Sequence, residues 1–302
     1  MTTRFDNRIA IVTGAGNGLG RSHALLLASR GAKVVVNDPG GSVDGKGGDA
    51  SAADKVVAEI KAAGGQAIAS YDSVATWAGA QSIINTAVNS FGGLDILVNN
   101  AGILRDKSFI KMPVEDFELV MQVHFMGTMY CTKAAWPIMM EKKYGRIVLT
   151  SSSSGLLGNF GQSNYGAAKT AMVGMMNCLQ FEGEKSNIKI NVMSPAADTR
   201  MTGNLMDPQV IKYMKPEHVS TAVAWMCSEN CKVSGQIIGA AGGFYTALRY
   251  FRTEGVGFDP ATGATLEEFD AAAPAILDFS KLEPFTGISK AVQKLLKESG
   301  RT

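Results

Sequence analysis

Tyr165 and Lys169 stand four positions apart in Tyr165-Gly166-Ala167-Ala168-Lys169, a spacing that puts both side chains on one face of a helix. An ammonium beside a phenol favours the phenolate, so the pair can bring a hydroxyl of ordinary pKa about 10 toward the working range of a general base. A second group lies near the N-terminus, where Thr13-Gly14-Ala15-Gly16-Asn17-Gly18-Leu19-Gly20 follows a strand-like run and opens into a helix-like one. Glycines there allow a tight turn and close approach of backbone to a pyrophosphate, which the free N–H groups of a helix N-terminus can hold. A glycine-rich turn with no ligand is the alternative. The next strand-like run ends Val36-Asn37-Asp38-Pro39. A carboxylate at Asp38 can accept hydrogen bonds from ribose hydroxyls and repels a 2′-phosphate. Position 39 is Pro and position 17 is Asn, where an NADP site wants a cation, so NAD is the expected cofactor. The competing reading is that Asp38 merely starts a turn.

These groups need a scaffold, and the sequence describes one. Short β-branched runs recur at Ile9 to Thr13, Val34 to Asn37, Ala67 to Ser70, Ile96 to Asn99, Arg146 to Ser151, Lys189 to Met193 and Gln236 to Gly239. Most are continuously apolar, which suits strands covered on both faces. Helix-length stretches lie between them, such as Leu19 to Arg30, Ala50 to Ala63, Ala78 to Phe91 and Tyr165 to Lys185. The alternation predicts an α/β fold with a doubly wound, seven-stranded parallel sheet of Rossmann type, whose ligands bind at the carboxyl ends of the strands. From Gly255 the rhythm stops. Residues 1–254 are expected to form one domain with an integrated substrate loop over 195–216. Residues 255–302 are expected to be a dependent extension of loop and two short helices, Thr265 to Ala272 and Ile288 to Lys297.

Composition removes whole classes of function. The 302 residues are 46% hydrophobic, with 29 Lys plus Arg against 27 Asp plus Glu, a net charge of +2. Intrinsic disorder needs the opposite balance, and a non-specific nucleic-acid binder needs a basic stripe. No apolar run reaches the ~18–20 residues that span a bilayer, and the first residues lack a signal peptide's apolar stretch. A cytoplasmic protein is expected. Cys131, Cys178, Cys227 and Cys231 form no Cys-x-x-Cys pair and are expected to be buried, reduced thiols; no metal site is expected.

Three further features complete a pattern: Asn99-Asn100-Ala101-Gly102 after the fourth run, Ser151-Ser152-Ser153 after the fifth, and the Tyr165–Lys169 segment. With the glycine turn they resemble, in order, the short-chain dehydrogenase/reductase family. The resemblance implies hydride transfer between a secondary alcohol and NAD⁺. It implies Ser152, Tyr165 and Lys169 as catalytic residues, with Ser152 and Tyr165 on the substrate oxygen and Lys169 also on the nicotinamide ribose. The implied cofactor site is Gly14, Asn17, Gly18, Leu19, Gly20, Asp38, Asp72, Ser73, Val74, Asn100, Ala101, Gly102, Tyr165, Lys169 and Pro195. Many members carry an Asn where this chain has His124, in Val123-His124-Phe125. His124 reads either as a satisfied core residue or as part of the proton relay.

Narrower segments are similar to the (3R)-hydroxyacyl-CoA dehydrogenase branch of that family, the part found in peroxisomal multifunctional enzymes and grouped with 17β-hydroxysteroid dehydrogenase type 4. They include Asp38-Pro39-Gly40-Gly41 with a glycine-rich insertion to Gly48, Gly102-Ile103-Leu104-Arg105-Asp106, Gly158 to Tyr165, Arg200-Met201-Thr202 and Leu248-Arg249-Tyr250. His124 matches that branch too. The chain stops at Thr302 without the hydratase and sterol-carrier parts or a Ser-Lys-Leu ending, which suits a free-standing dehydrogenase. In the substrate loop, Arg200, Lys212 and Lys215 among Met201, Leu205, Met206, Tyr213 and Met214 would suit an acyl-CoA; a solvated lid without ligand preference is the alternative. The leading expectation is oxidation of (3R)-3-hydroxyacyl-CoA. Alternatives are a hydroxysteroid or steroid-CoA dehydrogenase, a carrier-protein reductase (which Asp38 disfavours), and a nucleotide-sensing scaffold without chemistry. Apolar residues Met126, Met129, Tyr130, Ala134 and Trp136, with Met172, Val173, Met176 and Leu179, suggest a homodimer face.

Overall fold

The computed structural model describes residues 2–45, 47, 51–197, 208–259, 261–284 and 297. The chain divides into two compact units, residues 1–247 and 248–302.

In the first unit, β1 (Ile9–Thr13), β2 (Lys33–Asn37), β3 (Gln66–Ser70), β4 (Ile96–Asn99), β5 (Gly145–Thr150), β6 (Ile188–Ala196), β7 (Ile237–Ala241) and β8 (Phe244–Leu248) form one sheet. Their order is β3-β2-β1-β4-β5-β6-β7-β8, and the ladders from β3 through β7 are parallel. Residues of β1, β4 and β5 are buried throughout, as their mostly apolar sequences require. Each buried Val or Ile contributes ~1.5–3 kcal/mol relative to exposure. Around the sheet run α1 (Gly18–Ser29), α2 (Ser51–Ala62), α3 (Trp77–Phe91), α4 (Val114–Met121), α5 (Gly127–Lys142), α6 (Ser153–Leu157), α7 (Ser163–Gly183), α8 (Pro208–Ile211) and α9 (Pro216–Cys227). The strand order reverses between β1 and β4, and that switch point opens a crevice at their carboxyl ends.

The seven parallel strands match expectation, but the sheet has eight. Gly242 (φ 55°) and Gly243 (φ 86°) take the left-handed conformations that a two-residue reversal needs, so β8 folds back beside β7 as a hairpin. β6 also runs longer than expected, placing Pro195 within the strand opposite Ala240. Between α4 and α5 the helix widens into one π turn, Gln122–Met126. On α7, Met172, Val173 and Met176 are core residues of the monomer, not an outer face. That helix is apolar on several sides because it packs on α4, α6 and the strands β5 and β6 at once. Three of the cysteines are buried, but Cys178 is exposed.

In the second unit, α10 (Leu266–Ile276) starts with a capping box between Thr265 and Glu268. A strand pair, β9 (Phe251–Thr253) with antiparallel β10 (Leu282–Pro284), spans the expected boundary at Gly255, and β10 stands where loop was expected. The expected helix from Ile288 lies outside the described residues apart from Lys297. Arg252–Glu283 and Lys281–Glu254 ion pairs tie the two strands.

Candidate active site

The ladder pairs Thr13 with Asn37, so Gly14 and Asp38 leave adjacent strands side by side. Gly14 (φ 63°) and Gly18 (φ 53°) occupy the left-handed region. Side chains do not fit in this turn: a Cβ at Gly14 would lie 2.8 Å from the Ala101 Cα, and one at Gly20 would lie 2.1 Å from the Gly14 carbonyl oxygen. Asn17, the N-cap of α1, makes no side-chain capping bond, so the N–H groups of the first helical turn are left for a ligand. Asp38 is held rigidly. Its Oδ2 accepts from the Gly16 N–H at 2.8 Å and its Oδ1 from the Gly40 N–H at 2.7 Å. Each oxygen keeps a lone pair for a further donor.

The exits of β3 and β4 are tied to the same rim. Asn100 donates through Nδ2 to the carbonyls of Thr13 and Gly14, at 3.0 and 3.1 Å. The N–H groups of Asn100 and Ala101 both donate to the Thr13 hydroxyl. Buried Asn37 donates to the Asp72 carbonyl at 2.9 Å and so sets the position of Asp72-Ser73-Val74. The Asp72 carboxylate itself faces α3 and accepts from Ser82 at 2.7 Å.

Together these residues enclose a cavity of about 390 Å³. Of the expected cofactor residues, Gly14, Asn17, Gly18, Leu19, Asp38, Ser73, Val74, Asn100, Ala101 and Gly102 line it. Gly20 packs behind the turn, and Asp72, Pro195, Ser152, Tyr165 and Lys169 are not in its lining. Sequence reasoning missed a second wall, made by Pro39, Gly41, Ser42, Val43, Gly45 and Gly47, and the floor residues Ile103 and Val123. The glycine-rich insertion was the available signal. A Cβ-free turn, an unspent helix N-terminus and a fixed carboxylate around one cavity fit a dinucleotide.

The chemical groups sit where β5 ends and α7 begins. Ser152 caps α6, its hydroxyl accepting from the Ser154 N–H at 3.2 Å. Asn164 accepts from the Tyr165 N–H at 2.7 Å and donates to the Arg105 carbonyl at 3.1 Å, which orients the first turn of α7. Half-buried Tyr165 packs in an apolar cluster with Ile103 and Val123, the residues that floor the cavity. Buried Lys169 donates to the Thr150 carbonyl, and its Nζ lies 5.4 Å from the Tyr165 ring centroid.

Electrostatics at this pair run against the sequence expectation. Burial pushes the Tyr165 phenol up to about 12, opposed by a hydrogen bond from Ser152 and reinforced by the negative charge of Asp106. Burial likewise pushes Lys169 down to about 7. Desolvation outweighs the expected help of the ammonium, because burial disfavours both charged forms and the ammonium is turned to the Thr150 carbonyl. His124 stands on the π turn with its Nε2 2.7 Å from the Ile103 carbonyl oxygen, and burial pushes it down to about 3. It is a neutral, buried side chain.

In the expected substrate loop, Arg200, Met201, Leu205 and Met206 lie outside the described residues. Lys212, Tyr213, Met214 and Lys215 are described, with Tyr213 exposed and the Lys212 Nζ 4.9 Å from its ring centroid. Among the described residues no group of three or more His, Cys, Asp or Glu could hold a metal, and no helix is long and apolar enough to cross a membrane.

This arrangement has relatives. Residues 8–210 match the short chain dehydrogenase family. Peroxisomal multifunctional enzyme type 2 of Drosophila melanogaster is 45% identical over 296 residues, which cover 97% of this chain and 49% of that protein. The chain thus spans about half the length of this curated relative. The crystal structure of a short chain dehydrogenase from Mycobacterium avium superposes with a TM-score of 0.80 at 38% identity, covering 94% of this chain and 98% of that one. A 7α-hydroxysteroid dehydrogenase complexed with NADH and 7-oxo glycochenodeoxycholic acid superposes with a TM-score of 0.72 at 30% identity, covering 80% of this chain and 95% of that one.

Proposed function

The chain belongs to the short-chain dehydrogenase family, and from that membership we propose that it oxidises (3R)-3-hydroxyacyl-CoA to 3-ketoacyl-CoA with NAD⁺. The family takes a nicotinamide cofactor. The observation that carries the reading is the packing of Tyr165, with Lys169 one turn along α7, against Ile103 and Val123, which line a glycine-walled cavity beside the fixed Asp38 carboxylate.

Ser152 orients the alcohol by hydrogen bonding to its oxygen, and the same bond polarises the ketone in the reverse direction. The Tyr165 phenolate accepts the hydroxyl proton as the carbonyl forms. Held by the glycine turn and Asp38, NAD⁺ would supply the hydride acceptor and a positive charge at a site where burial disfavours the phenolate. Lys169 would hold the nicotinamide ribose and pass the Tyr165 proton on toward solvent. Asp38 excludes a 2′-phosphate by charge, which supports NAD over NADP.

The acyl-CoA reading is supported by the resemblance of the segments around Asp38, Gly102 and Gly158 to the (3R)-hydroxyacyl-CoA dehydrogenase branch and by the Arg200, Lys212 and Lys215 positions in the loop 195–216. A second reading, a hydroxysteroid dehydrogenase, has the bile-acid complex of a structural relative in its favour. We read residues 1–254 as the catalytic domain, 255–302 as its dependent extension, and the assembly as a cytoplasmic homodimer. Half-buried Tyr130 and Trp136 on α5, with Phe181 exposed on α7, support the pairing. The test is a set of initial rates with NAD⁺ and NADP⁺ against (3R)- and (3S)-3-hydroxyacyl-CoA and 17β- and 7α-hydroxysteroids. Turnover of the (3R) thioester with NAD⁺ is expected. Turnover of steroids alone would move the assignment to the second reading.

A further inference from the structure

The second wall of the cavity is glycine-rich and holds a turn of its own, in which the Gly45 N–H donates to the Ser42 carbonyl at 2.9 Å and the Ser42 hydroxyl donates to Asp44. Residues 39–47 contain four glycines, and Gly40 (φ 80°), Gly45 (φ 81°) and Gly47 (φ 70°) sit in left-handed conformations. Such a segment loses much backbone entropy when ordered, and contacts from outside it add to what its own turn supplies. Several of those contacts come from the chain leaving β4. The Leu104 N–H donates to the Val43 carbonyl at 2.9 Å. Gly45 lies so close to Ile103 that a Cβ there would sit 3.2 Å from the Ile103 Cγ2. Arg105 donates through Nε to the Asp44 carbonyl at 2.8 Å and through its terminal nitrogen to Asp116 Oδ1 at 2.7 Å.

That guanidinium therefore joins two elements far apart in sequence. Asp116 stands on the first turn of α4, and its other oxygen accepts from Lys107 at 3.2 Å. Arg105 and Asp116 side chains are only 21% and 12% exposed, so the pair is sheltered from the screening that weakens surface ion pairs. A planar guanidinium offers several donors in a fixed fork, which is what bridging a main-chain carbonyl and a carboxylate requires. A lysine has no such fork.

We infer that Arg105 is a positioning residue for the cofactor: it latches residues 41–45 to α4 and so pre-forms the outer wall of the dinucleotide cavity. The inference rests on the dinucleotide reading of that cavity. Arg105 acts through the wall and needs no contact with the cofactor. With the wall pre-formed, its ordering entropy is not charged to binding. Loss of the latch should therefore weaken cofactor binding while leaving Ser152, Tyr165 and Lys169 as they were.

The test uses the full chain and three variants, Arg105→Met, Arg105→Lys and Asp116→Asn. NADH binding is followed by fluorescence, and backbone order by amide hydrogen exchange over residues 40–47. Arg105→Met is expected to raise the NADH dissociation constant about tenfold and the NAD⁺ KM in parallel, with kcat at saturating NAD⁺ within about twofold of wild type. Exchange over 40–47 should speed up without cofactor and recover when NADH is bound. Arg105→Lys should fail to rescue. Asp116→Asn, which leaves the Asp44 bond in place, should show a smaller loss and stands in if Arg105→Met does not fold. Wild-type NADH affinity and exchange in both Arg105→Met and Asp116→Asn would overturn the inference. So would a kcat loss with NADH affinity unchanged. A wild-type chain that binds neither NADH nor NADPH would instead overturn the dinucleotide reading itself.

Discussion

The Tyr165 ring stands edge-on to the imidazole of His124, with ring centroids 5.1 Å apart and planes at 90°. The contact depends on the π turn, which carries His124 to within 2.7 Å of the Ile103 carbonyl oxygen and so ties the phenol's neighbour to the cavity floor. Gly102 is part of the same fit, because a Cβ there would lie 2.1 Å from the imidazole Cε1. Burial keeps His124 uncharged, with its pKa down near 3. Its role in this geometry is to place Tyr165.

His124→Ala should therefore lower kcat by about 10–100-fold through misplacement of the phenol. The shape of the pH–rate profile should not change. Loss of a titrating limb in the variant would instead make His124 part of the proton path.

The phenol's own titration can be steered from two sides. In the oxidation direction the rate should rise with pH as Tyr165 loses its proton. The Ser152 hydrogen bond favours the phenolate and the Asp106 charge opposes it. Ser152→Ala should then move the alkaline limb to higher pH as well as slowing turnover, whereas Asp106→Asn should move it to lower pH. Stopped-flow rates across pH 6–11, in about half-unit steps, read both directions, and shifts of opposite sign to these would refute Tyr165 as the titrating base. Tyr165→Phe should lose about three or more orders of magnitude in turnover while still binding NADH.

Cofactor choice tests the carboxylate at the end of β2. Both Asp38 oxygens are already fixed by backbone donors, so Asp38→Ala frees two N–H groups as well as removing a charge. NAD⁺ binding should weaken by about 1–3 kcal/mol, and the discrimination against NADP⁺ should narrow. Michaelis constants for both dinucleotides check it. A wild-type enzyme that prefers NADP⁺ would refute the assignment.

The sheet and its glycine turn were legible because each rests on local pattern. Ile9 to Thr13 is apolar without a break, and only a buried parallel strand accounts for that beside a glycine turn. The hairpin strand Phe244–Leu248 was not, because its residues are mostly exposed and show no buried face to read. The π turn leaves no period in the sequence: one widened turn shifts the register of α5 without altering residue types. Arg105 and Asp116 are 11 positions apart and Arg105 and Asp44 are 61 apart, so nothing local joins them. Met172, Val173 and Met176 misled for a related reason. A helix covered on several sides looks, in sequence, like one with a face to spare.

Lys169 makes the last prediction, because its chemistry and its stability effect have opposite signs. The ammonium is buried, with the Thr150 carbonyl as its hydrogen-bond partner, and burial pushes its pKa from the ordinary 10.5 down to about 7. Below about pH 7 both the folded and unfolded chains carry the proton, and the folded state bears the whole desolvation cost. Between about pH 7 and 10.5 the unfolded chain holds more protons than the folded one, so stability rises with pH across that window. Lys169→Met removes the buried charge with little change of volume. In the cofactor-free protein the variant should be more stable than wild type at pH 6 by about 1–4 kcal/mol, the range seen when buried ions give way to apolar groups. That advantage should shrink as pH rises toward 10, and turnover should be lost throughout. Urea unfolding at pH 6 and pH 9.5 measures it. A variant less stable than wild type at pH 6 would mean that the Thr150 bond outweighs desolvation, and that the lysine supports the fold as well as the chemistry.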